Sequence, residues 1–121
     1  MALGRVVPVL RMFDVAKARE FYLDFLGFTL AFEHRFGDNF PLYMGVSRAG
    51  CQLHLSEHHG DAAPGAHVRI ETDEIVTFAA ELAAKDYRYA KPGVPAATPW
   101  GTRELTVTDP FGNRLTFTQA D

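Results

Sequence analysis

The chain is short of most features that would announce a function. Among its 121 residues there is one cysteine, Cys51, and one tryptophan, Trp100. A single thiol excludes an intramolecular disulfide framework and any cysteine-rich zinc site, and suits a reducing compartment, so a cytoplasmic location is expected. Charge is nearly balanced, with 12 Lys+Arg against 15 Asp+Glu and a formal charge of −3. No basic patch or like-charge tail forms, which argues against nucleic acid as a partner. No apolar run approaches the ~20 residues of a membrane span, and the segment around Pro8 is too short for a secretion signal, so no membrane partner is expected. Two independent domains do not fit in this length, yet a chain this size buries about two-thirds of its unfolded surface, so one core is expected.

The order of elements is more informative. Residues 5–12 read as a strand interrupted by Pro8. Asp14 suits a helix N-cap, and Val15, Ala18, Phe21, Tyr22, Phe25 and Leu26 repeat at helical spacing before Gly27, a suitable C′ residue, so a helix is predicted over 15–26. Strands follow over 28–35, 41–48 and 51–57. After a Gly/Asp/Pro loop the order restarts, with a strand over 66–71, an N-cap candidate at Asp73 and a helix beginning at Ile75. Further strands are predicted over 87–90, 100–108 and 113–119, with 91–99 as a proline-containing loop and Asp109-Pro110-Phe111-Gly112 as a turn. Asp14 to Asp73 spans the same number of residues as Phe28 to Tyr87, so the architecture repeats although the residues do not. The fold class is therefore α+β: two tandem βαβββ modules, 5–57 and 66–119, within one domain over 1–121. They are expected to form a mostly antiparallel curved sheet around a cleft, with the helices outside. Each unit of about 60 residues is too small to be comfortable alone, so the two should share a core.

Alternation divides each strand into two faces. Leu53 and Leu55, Val68 and Ile70, and Leu105, Val107, Leu115 and Phe117 form apolar sets suited to packing on the helices. Gln52, His54 and Ser56, His67, Arg69 and Glu71, and Glu104, Thr106, Arg114, Thr116 and Thr118 form polar sets. These polar sets suit either plain solvated surface or the lining of a concave site. Phe32, Phe36, Phe40, Tyr43, Tyr87, Tyr89 and Trp100 fall outside the apolar stripes, where rings either seal a small core or offer stacking area. Cys51, between a turn glycine and a core strand, reads as an inert thiol rather than a nucleophile. His58 and His59 suit a solvated loop or a cleft rim, and Arg103 with Glu104 suits a structural pair at a strand start.

Phe25-Leu26-Gly27-Phe28, the Asp14 helix start and Asp109-Pro110-Phe111-Gly112-Asn113, on a doubled strand-helix-three-strand order, resemble the vicinal oxygen chelate superfamily of glyoxalases, extradiol dioxygenases and bleomycin-resistance proteins. The four positions that hold metal in that superfamily's enzymes correspond here to Val7, His54, His67 and Thr116. The resemblance is nearer to the bleomycin-resistance branch, through Val7-Pro8-Val9-Leu10 and Pro99-Trp100-Gly101-Thr102-Arg103-Glu104. It implies a glyoxalase/bleomycin-resistance-type protein that binds a bleomycin-like small molecule without chemistry or a cofactor. It also implies a homodimer that exchanges its N-terminal strand about the early proline and holds two clefts at the interface. The implied ligand-binding residues are Phe32, His54, Ser56, His67, Arg69, Trp100, Glu104 and Arg114. The alternative is a metal-dependent lyase or dioxygenase in which His54 and His67 hold a divalent metal ion. A third is a binding module for an unrelated metabolite, and Arg35, Arg69 and Arg114 leave room for an anionic or neutral guest.

Overall fold

A computed structural model describes all residues, 1–121. The first module contains β1 (Val9–Arg11), α1 (Val15–Arg19), a π-helical continuation (Glu20–Phe25), β2 (Thr29–His34), β3 (Tyr43–Arg48) and β4 (Cys51–Ser56). The second contains β5 (His67–Glu71), α2 (Ile75–Ala84), β6 (Ala96–Ala97), β7 (Thr102–Thr108) and β8 (Arg114–Ala120). The strands form two four-stranded sheets, ordered β1-β4-β3-β2 and β5-β8-β7-β6, which is the same permutation twice. In each sheet the first strand runs parallel to the last and the other neighbours are antiparallel. The repeat inferred from spacing is thus a repeat of topology. No helix is long and apolar enough to cross a membrane.

Asp14 caps α1 as expected, its Oδ1 accepting from Lys17 N–H at 2.9 Å. At the far end Leu26 N–H reaches back five residues to Phe21 C=O, and Gly27 takes the left-handed conformation, φ 75°, that ends the helix. One cluster of 20 buried apolar residues spans both modules, with Phe21, Tyr22, Phe25, Leu53 and Leu55 from the first and Ile75, Leu82, Leu105 and Leu115 from the second. Polar contacts between the modules accompany it. Arg48 reaches Glu81 through both terminal nitrogens at 2.6 and 2.7 Å, and its guanidinium holds the Glu81 carboxyl below its usual range. Lys85 Nζ caps the first helix at the Asp24 and Phe25 carbonyls.

Asp109 is the centre of a buried knot. Its carboxylate accepts from Tyr22 Oη at 2.6 Å, from Asn113 N and Nδ2, both at 2.8 Å, and from Phe111 N. Asn113 in turn donates to Arg11 C=O and accepts from Ala66 N–H. The Asp-Pro-Phe-Gly-Asn run is therefore a fastener: one turn ties the first helix, β1 and the start of β5 together. Burial, then the Asp109 charge and hydrogen bond, push the Tyr22 phenol well above its ordinary pKa.

Several expected elements differ. β1 is only three residues long, and the residues before Pro8 form no strand, with Met1, Leu3 and Val6 exposed. The strand predicted over 87–90 does not form. Tyr87 instead stacks on Phe25 with ring centroids 4.8 Å apart and donates to Glu20, and burial with that carboxylate raises its pKa to about 12. The pairing strand is β6, inside the segment read as a loop. Asp73 does not cap α2. Gln119 does so from β8, accepting from Ile75 N–H and donating to Asp73 C=O, both at 2.9 Å. A long-range amide has replaced the local cap.

Candidate functional site

Strand register arranges the polar face of the first sheet in two rows. Val9, His54, Gly45 and Phe32 lie side by side across all four strands, and Arg11, Ser56, Tyr43 and His34 form the next row. Gly45 is required here, because a Cβ at that position would run into the Phe32 ring. The ring thus lies over the strand, edge-on to His54 at 5.2 Å and nearly parallel to Tyr43 at 6.2 Å. Tyr43 Oη meets His54 Nδ1 at 2.7 Å. Burial, and then the charge of Asp61, raise the Tyr43 pKa and keep its proton on the phenol. Two buried nitrogens on this face have no partner, His54 Nε2 and Arg11 Nη1. Each such orphan costs about 1–3 kcal/mol.

The second sheet's polar face carries a dense network by contrast, with Glu71 and Arg114 exposed outside it. His67 Nε2 lies 2.8 Å from Thr116 Oγ1, which lies 2.8 Å from Thr106 Oγ1. Beside them Glu104 Oε2 accepts from Arg69 Nη2 at 2.5 Å, Thr102 Oγ1 at 2.9 Å, Thr118 Oγ1 at 3.1 Å and Trp100 Nε1 at 3.3 Å. Arg69 first, then the two hydroxyls and the indole, hold the Glu104 carboxyl down to about 2. With its N–H tethered, the Trp100 ring stays 68% exposed. Arg114 is exposed on the same face, between His67 and Thr108.

The eight predicted residues therefore fall into two sets. Phe32, His54 and Ser56 belong to the first sheet, and His67, Arg69, Trp100, Glu104 and Arg114 to the second. No hydrogen bond, ion pair or ring contact joins the sets within the chain. An open groove of about 930 Å³ where the modules meet is lined by Arg69 and by none of the other seven. Ser56 is a correction: it is fully buried, donates to Asp61 Oδ2 at 2.7 Å and accepts from His58 N–H at 3.0 Å, so it pins the following loop and offers nothing to a guest. The Arg103 and Glu104 pair is another: Arg103 faces Asp121 and Glu104 faces Arg69. Cys51 is half-buried, and burial raises its pKa, as suits an inert thiol.

Tyr43 and Arg11 were not among the predicted site residues. A sequence signal for Tyr43 existed. A two-residue turn at Ala49 and Gly50 pairs Arg48 with Cys51, and counting back along the hairpin sets Gly45 opposite His54 and Tyr43 opposite Ser56, one step diagonal to the imidazole.

The donor set does not fit a resident metal. Of the four corresponding positions Val7 has no donor atom, Thr116 spends its hydroxyl on His67 and Thr106, and no three His, Cys, Asp or Glu side chains converge.

The profile of a family described as Glyoxalase superfamily protein matches residues 1–121. No curated protein matches the chain in sequence. Among solved structures, the bleomycin-binding protein of bleomycin-producing Streptomyces verticillus, complexed with copper(II)-bleomycin, is 31% identical, covering 100% of this chain and 99% of that one, with a TM-score of 0.76. TnmS3, an antibiotic binding protein from Streptomyces sp. CB03234, is 27% identical over 100% of this chain and 99% of its own, TM-score 0.78. A glyoxalase/bleomycin resistance protein from Streptomyces sp. CB03234 is 26% identical over 93% and 97%, TM-score 0.73.

Proposed function

The chain belongs to the glyoxalase superfamily, and from that premise we propose that it binds and sequesters an aromatic, polar small molecule of the bleomycin type, without chemistry and without a metal cofactor. The observation that carries this reading is Trp100. Its ring is presented to solvent while Glu104, itself fixed by Arg69, Thr102 and Thr118, holds the indole N–H. A large exposed ring oriented by a saturated network is a stacking surface rather than a core residue. Phe32, laid over Gly45, is its counterpart on the other sheet. The two structural relatives named for antibiotic binding support the class of guest.

The cleft of this reading is completed by a second copy, the first sheet of one chain facing the second sheet of its partner. The residues before Pro8 support this: Met1, Leu3 and Val6 are apolar, exposed and without a place in their own chain, as an arm exchanged between subunits would be.

Titration of the full chain with bleomycin, followed by tryptophan emission, tests the reading directly, since Trp100 is the only tryptophan. A saturable change at micromolar antibiotic is expected, and Trp100→Phe, followed by calorimetry because it removes the only tryptophan, should weaken binding about tenfold, since the smaller ring stacks over less area and lacks the N–H held by Glu104. No saturable response overturns the bleomycin assignment. One divalent ion per chain after purification without chelator overturns the metal-free reading and favours the use of His54 and His67.

A further inference from the structure

We infer that the guest of this cleft is a planar ring bearing a hydrogen-bond acceptor, and that Tyr43 and His54 select it: Tyr43 fixes the imidazole so that Nε2 offers its N–H to that acceptor. The inference rests on the binding reading above and narrows it to a class of guest.

The tautomer follows from the pair itself. His54 Nδ1 is the only hydrogen-bond partner of Tyr43 Oη, at 2.7 Å. A phenol is a far better donor than acceptor, and here burial and the nearby Asp61 charge keep its proton in place. Tyr43 therefore donates to Nδ1, and the neutral ring carries its own proton on Nε2. That N–H is buried and unpaired. Its other ring neighbour is Phe32, edge-on at 5.2 Å and 39% exposed, which lies over Gly45 with no side chain beneath it. A flat guest at this donor has the partly exposed Phe32 ring beside it to stack on.

The preference for an acceptor, rather than a cation, comes from counting groups on both faces. The two rows of the first sheet hold no carboxylate, and they contain two buried unpaired donors, His54 Nε2 and Arg11 Nη1. The second face has one carboxylate close to the exposed tryptophan, Glu104, and four donors already occupy it. Within the rows of the first sheet, where His54 lies, a carbonyl or carboxylate on a flat ring finds a waiting donor and a cation finds no carboxylate; the exposed Glu71 belongs to the other sheet.

Two probes of matched size separate these cases, 2-naphthoate and 2-naphthylmethylammonium, titrated into the full chain and followed by ¹⁵N-detected imidazole resonances. The free protein should show His54 as the Nε2–H tautomer. Naphthoate should bind at least tenfold more tightly than the ammonium probe and shift the His54 Nε2 resonance. His54→Phe should remove at least tenfold of the naphthoate affinity and leave the ammonium probe unchanged. His54→Gln, which retains an N–H at the side-chain end, should keep most of it, and Tyr43→Phe should release the ring to the other tautomer. An Nδ1–H tautomer in the free protein, equal affinity for the probes, binding by neither, or full naphthoate affinity in His54→Phe overturns the inference. Bleomycin failing while naphthoate is discriminated removes only the antibiotic assignment, and the reverse outcome removes only the acceptor selectivity.

Discussion

The two modules have the same strand order and opposite chemistry on their polar faces. In the first, the row Val9, His54, Gly45, Phe32 is aromatic and leaves buried donors unpaired. In the second, hydroxyls, Arg69 and Trp100 converge on Glu104 and His67 in networks that leave Glu71 and Arg114 outside. A duplicated fold has thus been divided into a face with open valences and a face that is densely networked. The open face suits selection, because a guest that completes it gains what the free protein lacks. The networked face suits presentation, because its network holds Trp100 in place whether or not a guest is present. The hairpin turns show the same division. The β3–β4 turn is Ala49 and Gly50 with nothing packed on it, whereas the β7–β8 turn carries Asp109, which binds elements of both modules.

The largest effect expected from breaking this comparison lies in those turns. Asp109→Ala leaves the Tyr22 hydroxyl and the Asn113 amide buried without an acceptor, and should cost about 3 kcal/mol or more. Gly50→Ala, at the matching hairpin of the first module, meets no neighbour and strains only its own φ of 87°, so about 1 kcal/mol is expected. Urea unfolding of both variants checks the ratio. Equal losses would mean that the Asp-Pro-Phe-Gly-Asn turn is no more a fastener than its counterpart.

The repeat itself was legible because it rests on local signals: the Asp14 cap, the Gly27 terminator and the strand alternation all depend on neighbours within a few residues. The failures were all long-range. Asp73 lost its capping role to Gln119, and Tyr87 gave up strand pairing for a place against Phe25. Ser56 has the right face for a site residue, and only the fold of the next loop, which brings Asp61 onto it, takes it out of use. Alternation said which residues share a face of a strand. It could not say which faces meet, so residues expected around one cleft fall on two sheets that make no contact through them. The second copy proposed above would supply that relation.

A smaller effect is expected at Gly45, whose counterpart across the repeat is Thr106: each lies beside the residue, His54 or Thr116, that corresponds to a metal position of the superfamily's enzymes. Gly45→Ala forces the Phe32 ring off the sheet. Phe32 is partly exposed and can yield, so the loss of stability should stay near 1–2 kcal/mol, while guest affinity falls about tenfold as the ring loses its seat. Thr106→Ala removes one hydroxyl from the chain His67, Thr116, Thr106 and should cost below about 1 kcal/mol, with guest affinity unchanged. Thermal melts and bleomycin titrations of the two variants place them side by side. Comparable losses of affinity would erase the distinction between a selecting and a presenting face.

The smallest effect, and the sharpest test of the presenting face, is its response to acid. Glu104 has a folded pKa of about 2, set first by Arg69 and then by Thr102, Trp100 and Thr118, against about 4.3 in an unfolded chain. A carboxyl depressed on folding stabilises the native state fully above its unfolded pKa, and that contribution is lost as pH falls from about 4.3 toward 2. The indole tether should follow the folded value instead. Trp100 emission in the free protein is therefore expected to stay constant from pH 7 to about 3 and to change only near 2, with Arg69 releasing the carboxyl at the same point. In Glu104→Gln the emission should not vary over that range, and the acid limb of the stability curve between pH 4.3 and 2 should become shallower. A wild-type transition near 4.3 would mean that Glu104 titrates as an ordinary surface carboxyl. The network would then be too loose to hold the ring, and the two faces of the molecule would differ in composition alone.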